Sequence, residues 1–88
     1  MKVFMYTLSI CPWSRKAKQF FKEKNIPFEY VDYDLVGEKE QEKILEAMYK
    51  CKDGAAFPFV KIDDEIIIGY SPERYSKLLS AADINFLV

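Results

Sequence analysis

The chain contains no histidine and only two cysteines, Cys11 and Cys51, which lie 40 positions apart. That inventory supplies neither a zinc site of the usual Cys/His spacing nor a disulfide framework. Such sparing use of cysteine fits a reducing, cytoplasmic setting. Long hydrophobic runs are also missing. Val3–Leu8 is too short for the core of a secretory signal, with no small-residue cleavage site, and the apolar tail Ile84–Val88 falls far short of the ~20 residues of a membrane helix. A soluble protein with no membrane partner is expected. Charge of one sign is lacking too: 13 basic against 14 acidic residues leave a net −1, so nothing draws the chain electrostatically to nucleic acid or anionic lipid. There is no repeat, low-complexity tract or linker.

What is present suits one compact domain spanning 1–88, expected to be a monomer. Half of the 88 residues are apolar and 16% are aromatic. A domain of this size buries roughly 60 to 68% of its unfolded surface, and aromatic side chains concentrate buried area in few positions.

The pattern along the chain alternates strand and helix signals. Val3–Leu8 reads as a buried strand. From Pro12 to Lys24, Trp13, Ala17, Phe20 and Phe21 recur at three- and four-residue steps among lysines, the period of an amphipathic helix. Asn25 is a suitable stop, with Pro27 just beyond it. Phe28, Tyr30, Val31 and Tyr33 give a second strand, and strand, helix, strand in some thirty residues predicts a βαβ unit with a parallel pair. After Gly37, a charged run and the stripe Ile44, Leu45, Ala47 and Met48 predict a helix to about Lys50, ended by Asp53 and Gly54. Phe59, Val60 and Ile62, then Ile66, Ile67 and Ile68, flank Asp63 and Asp64 as a hairpin without the favoured glycine. Ser71 as N-cap, Pro72 and Glu73 open a last helix through Leu78 and Leu79. The expected class is α/β, a mixed four-stranded sheet with three helices in the order βαβαββα.

Chemistry concentrates at Cys11, Pro12, Trp13 and Ser14. Proline is suited to the first helical turn, which makes Cys11 the N-cap and turns the unpaired N–H groups of that turn toward its sulfur. A cysteine pKa of about 8.5 falls to ~3.5–7.5 at a helix N-terminus or beside cations, and Cys11 is predicted to have both, the cations being Arg15 and Lys16. Basic residues oppose the helix dipole in a first turn unless an anion sits there, and a thiolate or anionic substrate would be that anion. Ser14 occupies the place of a second thiol, so no disulfide can close across the turn, although its hydroxyl could bond the Cys11 sulfur. Trp13 is expected to be partly exposed, since its N–H needs a partner and a helix tip rarely offers deep burial. Cys51, at a helix C-terminus, lacks such activation and reads as structural.

These features, with Ala17 and Lys18, the run Phe57-Pro58-Phe59-Val60, and Gly69-Tyr70-Ser71-Pro72-Glu73, make the chain resemble the glutaredoxin family of the thioredoxin fold over essentially its whole length. The resemblance implies that Pro58 is a cis-proline beside the active thiol and that the backbone of Phe57 pairs with a peptide-like substrate. It also implies that Gly69, Tyr70, Ser71 and the N–H groups of the last helix receive the γ-glutamyl carboxylate of glutathione. Pro12, Trp13 and Arg15 complete the implied substrate site. Three features depart from the family's glutathione users: Leu8 stands in place of a basic residue, Ala56-Phe57-Pro58 in place of Thr-Val-Pro, and Gly69-Tyr70-Ser71-Pro72-Glu73 in place of Gly-Gly-x-Asp-Asp. The last is similar to glutaredoxin-like redoxins served by a thioredoxin-reductase-type enzyme, which carry the second thiol that Ser14 replaces.

The leading expectation is a monothiol thiol-disulfide oxidoreductase acting on glutathione-type or protein mixed disulfides, with Cys11 as nucleophile and Ser14 as its partner. Glutathione is the expected co-substrate, no tightly bound cofactor or metal is expected, and the electron donor is a low-molecular-weight thiol or a disulfide reductase. Two alternatives stand beside it. One is a carrier of a [2Fe-2S] cluster held between two protomers with glutathione thiols, against which Pro12 and Trp13 stiffen and crowd the site. The other is a non-catalytic module that docks extended segments on Phe57, Trp13 and Tyr70.

Overall fold

The computed structural model describes residues 2–50 and 56–87. Strand β1 (Val3–Thr7) is followed by helix α1 (Pro12–Glu23), β2 (Glu29–Asp32), a 3₁₀ turn (Tyr33–Leu35), α2 (Glu38–Tyr49), β3 (Phe59–Ile62), β4 (Glu65–Ile68) and α3 (Pro72–Leu87). The four strands form one sheet in the order β2-β1-β3-β4. β1 and β2 run parallel, with Met5 opposite Tyr30, while β3 is antiparallel to both β1 and β4. This is the mixed sheet with three helices that the sequence pattern implies.

Period-2 alternation decides which residues meet which helices. Val3 and Met5 of β1 point to one face with Val60 and Ile62 of β3 and Ile67 of β4, and there they bury Ala17 and Phe21 of α1 and Tyr75 of α3. Phe59 faces the other way, against Ile44 and Met48 of α2, with Tyr6, Ile66 and Ile68 packed alongside. Each fully buried large apolar side chain, such as Phe21, stabilises the fold by about 1.5–3 kcal/mol relative to exposure. Thr7 continues the inward face of β1 and is fully buried. Its hydroxyl donates to the Asp32 carboxylate at 2.6 Å, which Lys18 of α1 also meets at 2.8 Å.

Local chemistry explains the element ends. Asn25 adopts φ 57°, a left-handed conformation that asparagine tolerates. The N–H of Asn25 then bonds Lys22 and that of Ile26 bonds Phe21, a Schellman closure of α1. The β3–β4 turn likewise dispenses with glycine because Asp63 takes φ 52°. Lys2 and Asp63 exchange two bonds of 2.8 Å, the Lys2 N–H to the Asp63 carboxylate and the Asp63 N–H to the Lys2 carbonyl, which fixes the turn against the start of β1.

The second strand is shorter than the sequence pattern suggests. β2 ends at Asp32 and Tyr33 enters the 3₁₀ turn, because Tyr33 packs against Phe57 at 5.2 Å between centroids and Gln41 of α2 bonds its carbonyl at 3.0 Å. β1 also stops one residue early, since the Leu8 N–H is taken by Ser14 and not by a strand. Asp53, Gly54 and Cys51 lie outside the described residues. Among the described residues no helix is long and apolar enough to cross a membrane.

Candidate active site

Cys11 is the N-cap of α1, with extended backbone at φ −84° and ψ 122°, and Pro12 is the first helical residue. Its carbonyl accepts the first helical bond, from Arg15 N–H at 3.1 Å, and its own N–H returns to Leu8 at 3.2 Å. The thiol is partly exposed and unbridged. No short capping bond ties it down. Even so, the backbone N–H of Ser14 draws its pKa below the ordinary thiol value; partial burial opposes this, and the Trp13 N–H and Ser14 hydroxyl add to it. The helix N-terminus therefore favours the thiolate.

The cations act otherwise than the sequence suggests. Arg15 turns its Nε back to the Ser9 carbonyl at 3.3 Å. Lys16 lies over the Trp13 ring, 4.7 Å from its centroid. The groups that lower the Cys11 pKa are the Ser14 and Trp13 N–H groups and the Ser14 hydroxyl, with neither cation among them.

Ser14 is buried completely. Its hydroxyl accepts the Leu8 N–H at 3.1 Å and still has a proton to offer toward Cys11. One side chain thus joins the end of β1, the first turn of α1 and the thiol.

The remaining site residues converge from the other end of the chain. Phe57-Pro58 is a cis peptide, as the family resemblance implies, and Pro58 is fully buried. The Pro58 carbonyl accepts the N–H of Gly69 at 2.8 Å. Gly69 takes φ 87°, a conformation that L side chains rarely adopt. Tyr75 of α3 donates its hydroxyl to the Gly69 carbonyl at 2.5 Å. This fixes Tyr70, which stacks on Trp13 with centroids 6.0 Å apart and planes inclined by 29°. The stack places the start of α3, where the Ser71 carbonyl accepts Tyr75 N–H at 3.0 Å, beside Trp13 in the first turn of α1. Trp13 remains 54% exposed. Phe57 is brought to the same end of the molecule by Tyr33.

Two arrangements are not evident in the sequence. Asp34, in the 3₁₀ turn, accepts the N–H of Ser9 at 2.8 Å and also its hydroxyl, and these bonds, hydroxyl first, hold its carboxyl below the usual range. Lys18, Asp32 and Thr7 form the second cluster, with Lys18 also 4.0 Å from the Tyr30 centroid. In both, partners lie 14 to 25 positions apart, a separation no local pattern signals.

A cavity of about 370 Å³ opens elsewhere, between Lys2, Phe4, Lys61 and Ile66. None of the residues lining it belongs to the thiol site. No cluster of His, Cys, Asp and Glu able to hold a metal occurs among the described residues.

Comparison with known proteins agrees with this geometry. Residues 3–67 match the protein-family model described as glutaredoxin. A glutaredoxin-like protein of the rubredoxin operon of Clostridium pasteurianum is 29% identical over 75 residues, covering 85% of this chain and 93% of that protein. The crystal structure of glutaredoxin from Archaeoglobus fulgidus is similar with a TM-score of 0.82 at 28% identity, over 89% of this chain and 85% of the other. Methanoredoxin from Methanosarcina acetivorans follows at 0.79 and 30%, over 86% and 81%.

Proposed function

The chain belongs to the glutaredoxin family, and from that membership we propose that it is a thiol-disulfide oxidoreductase whose single catalytic thiol is Cys11. The observation that carries the reading is a partly exposed cysteine at the N-cap of α1, with its pKa lowered, one turn before a buried serine.

In the first step the Cys11 thiolate attacks one sulfur of a substrate disulfide. The substrate S–S bond breaks, a new S–S bond forms to Cys11, and the other half leaves as a thiolate that takes a proton from water. Ser14 cannot close a ring on Cys11, so the adduct persists until a second thiol attacks the substrate-derived sulfur. That step restores the Cys11 thiolate and leaves the substrate sulfur joined to the incoming one. Cys11 is regenerated and supplies no net electron: the departing sulfur is reduced, and the sulfur of the incoming thiol, which is glutathione, another low-molecular-weight thiol, or the dithiol of a reductase, is oxidised into the new disulfide. A lowered pKa serves both steps, because Cys11 is first nucleophile and then leaving group.

The stacked Trp13 and Tyr70 supply a platform beside the sulfur. The start of α3, with Gly69, Tyr70 and Ser71, offers helix N–H groups to a carboxylate of glutathione. Pro12 stiffens the turn, and the family resemblance assigns it, with Phe57 and Pro58, to the substrate site. Arg15 is tethered to the Ser9 carbonyl through its Nε, and the family resemblance assigns it to the substrate site.

Exchange of a glutathione mixed disulfide should be lost in Cys11→Ser and retained in Cys51→Ser. Turnover surviving in Cys11→Ser would overturn the reading.

A further inference from the structure

Two aliphatic side chains face water with nothing among the described residues packed over them: Ile10 is 79% exposed and Leu35 71%. Ile10 immediately precedes Cys11, so their Cα atoms are about 3.8 Å apart. Leu35 comes from the 3₁₀ turn, 24 positions later, yet it follows Asp34 as Ile10 follows Ser9, and Ser9 and Asp34 are joined by two hydrogen bonds. The clasp therefore holds the stretches carrying both side chains at the same end of the molecule as the thiol. Its two bonds join the β1–α1 loop to the turn after β2, while Arg15 holds the Ser9 carbonyl from the other side.

We propose that Ile10 and Leu35, positioned by the Ser9–Asp34 clasp, form an apolar wall beside Cys11 that selects disulfides carried by polypeptide segments with apolar residues flanking the half-cystine. This rests on the oxidoreductase reading above and names the substrate class of that site. A glutathione adduct is highly charged, and a charged ligand gains nothing from two exposed aliphatic groups. The cations closest to Cys11 in sequence are moreover engaged, Arg15 with Ser9 and Lys16 with Trp13. Apolar side chains flanking a half-cystine instead remove their own area and that of the wall from water, which favours association in proportion to the area covered. The exposed indole of Trp13 continues the apolar surface toward Tyr70. Ile10 is joined in the chain to Cys11 itself, so the occupant of this surface is the molecule that brings the disulfide.

Two symmetric disulfides separate the possibilities: oxidised glutathione, and a peptide dimer joined by one cystine with leucine and phenylalanine as flanking residues. In a Cys51→Ser background, the second-order rate of adduct formation on Cys11 is followed by intact mass for each. The ratio of peptide to glutathione rates should fall about tenfold in Ile10→Ser/Leu35→Ser, the scale of two lost aliphatic contacts. It should fall in the same direction in Asp34→Ala, which keeps both side chains and removes the clasp. An unchanged ratio in the double variant, with both disulfides still reacting, overturns the wall and leaves the oxidoreductase reading standing. Failure of the parent protein to react with either disulfide overturns both.

Discussion

The hydroxyl of Ser14 accepts the backbone N–H of Leu8 at 3.1 Å while the side chain is fully buried. The residue standing where a second thiol would be is thus a structural fastener between β1 and α1, and it reaches the Cys11 sulfur from the same position. Ser14→Ala should leave the Leu8 N–H without its partner and cost about 1–3 kcal/mol of stability. Denaturant unfolding of the two proteins measures this. The same variant should raise the Cys11 pKa slightly, because the hydroxyl is the smallest of the groups that lower it.

The thiol of Cys11 has a folded pKa below its unfolded value, held there first by the Ser14 N–H. Alkylation rate plotted against pH in Cys51→Ser should therefore show a midpoint below about 8.5. The linkage has a definite sign. A depressed acid pKa contributes stability that is fully present above the unfolded value and lost as pH falls through the folded one. Between those two values the parent protein should gain stability with rising pH relative to Cys11→Ser, and an equal pH slope in both would contradict the assignment.

Tyr75 carries the opposite shift. Burial pushes its phenol up to about 12, against the Ser71 backbone bond that lowers it. A raised folded pKa contributes stability that is complete below the unfolded value of about 10 and is lost as pH rises toward about 12. Ultraviolet titration of the folded protein should show a phenol that ionises near pH 12, and that transition should be missing in Tyr75→Phe. Tyr75→Phe also removes the 2.5 Å bond to the Gly69 carbonyl and should cost about 1–2 kcal/mol.

Much of the fold is legible in the sequence because it depends on local periodicity. The three- and four-residue spacing of Trp13, Ala17, Phe20 and Phe21 is enough to mark α1, and Pro12 fixes where it starts. Ser71, Pro72 and Glu73 mark the start of α3 in the same way. Ends are less legible: Tyr33 has the composition of a strand residue, but its contacts with Phe57 and Gln41 draw it into the 3₁₀ turn. The pairings of Thr7 with Asp32 and of Ser9 with Asp34 leave no trace in local pattern, since any surface carries polar residues of these kinds.

At the site, the sequence by itself determined that one thiol would cap a helix and that no second thiol could answer it across the turn, because the order Cys11, Pro12, Trp13, Ser14 controls both through local backbone geometry. The folded geometry decided where the neighbouring charges go, through partners only three and six positions away. Arg15 and Lys16 are adjacent to the thiol in sequence, but a long flexible cation settles on the partner that best compensates its lost hydration, and the fold offers the Ser9 carbonyl to one and the Trp13 face to the other. Tertiary structure alone brought Leu35 to the end of the molecule where Ile10 stands, through a carboxylate and a loop amide that meet only once the sheet has formed.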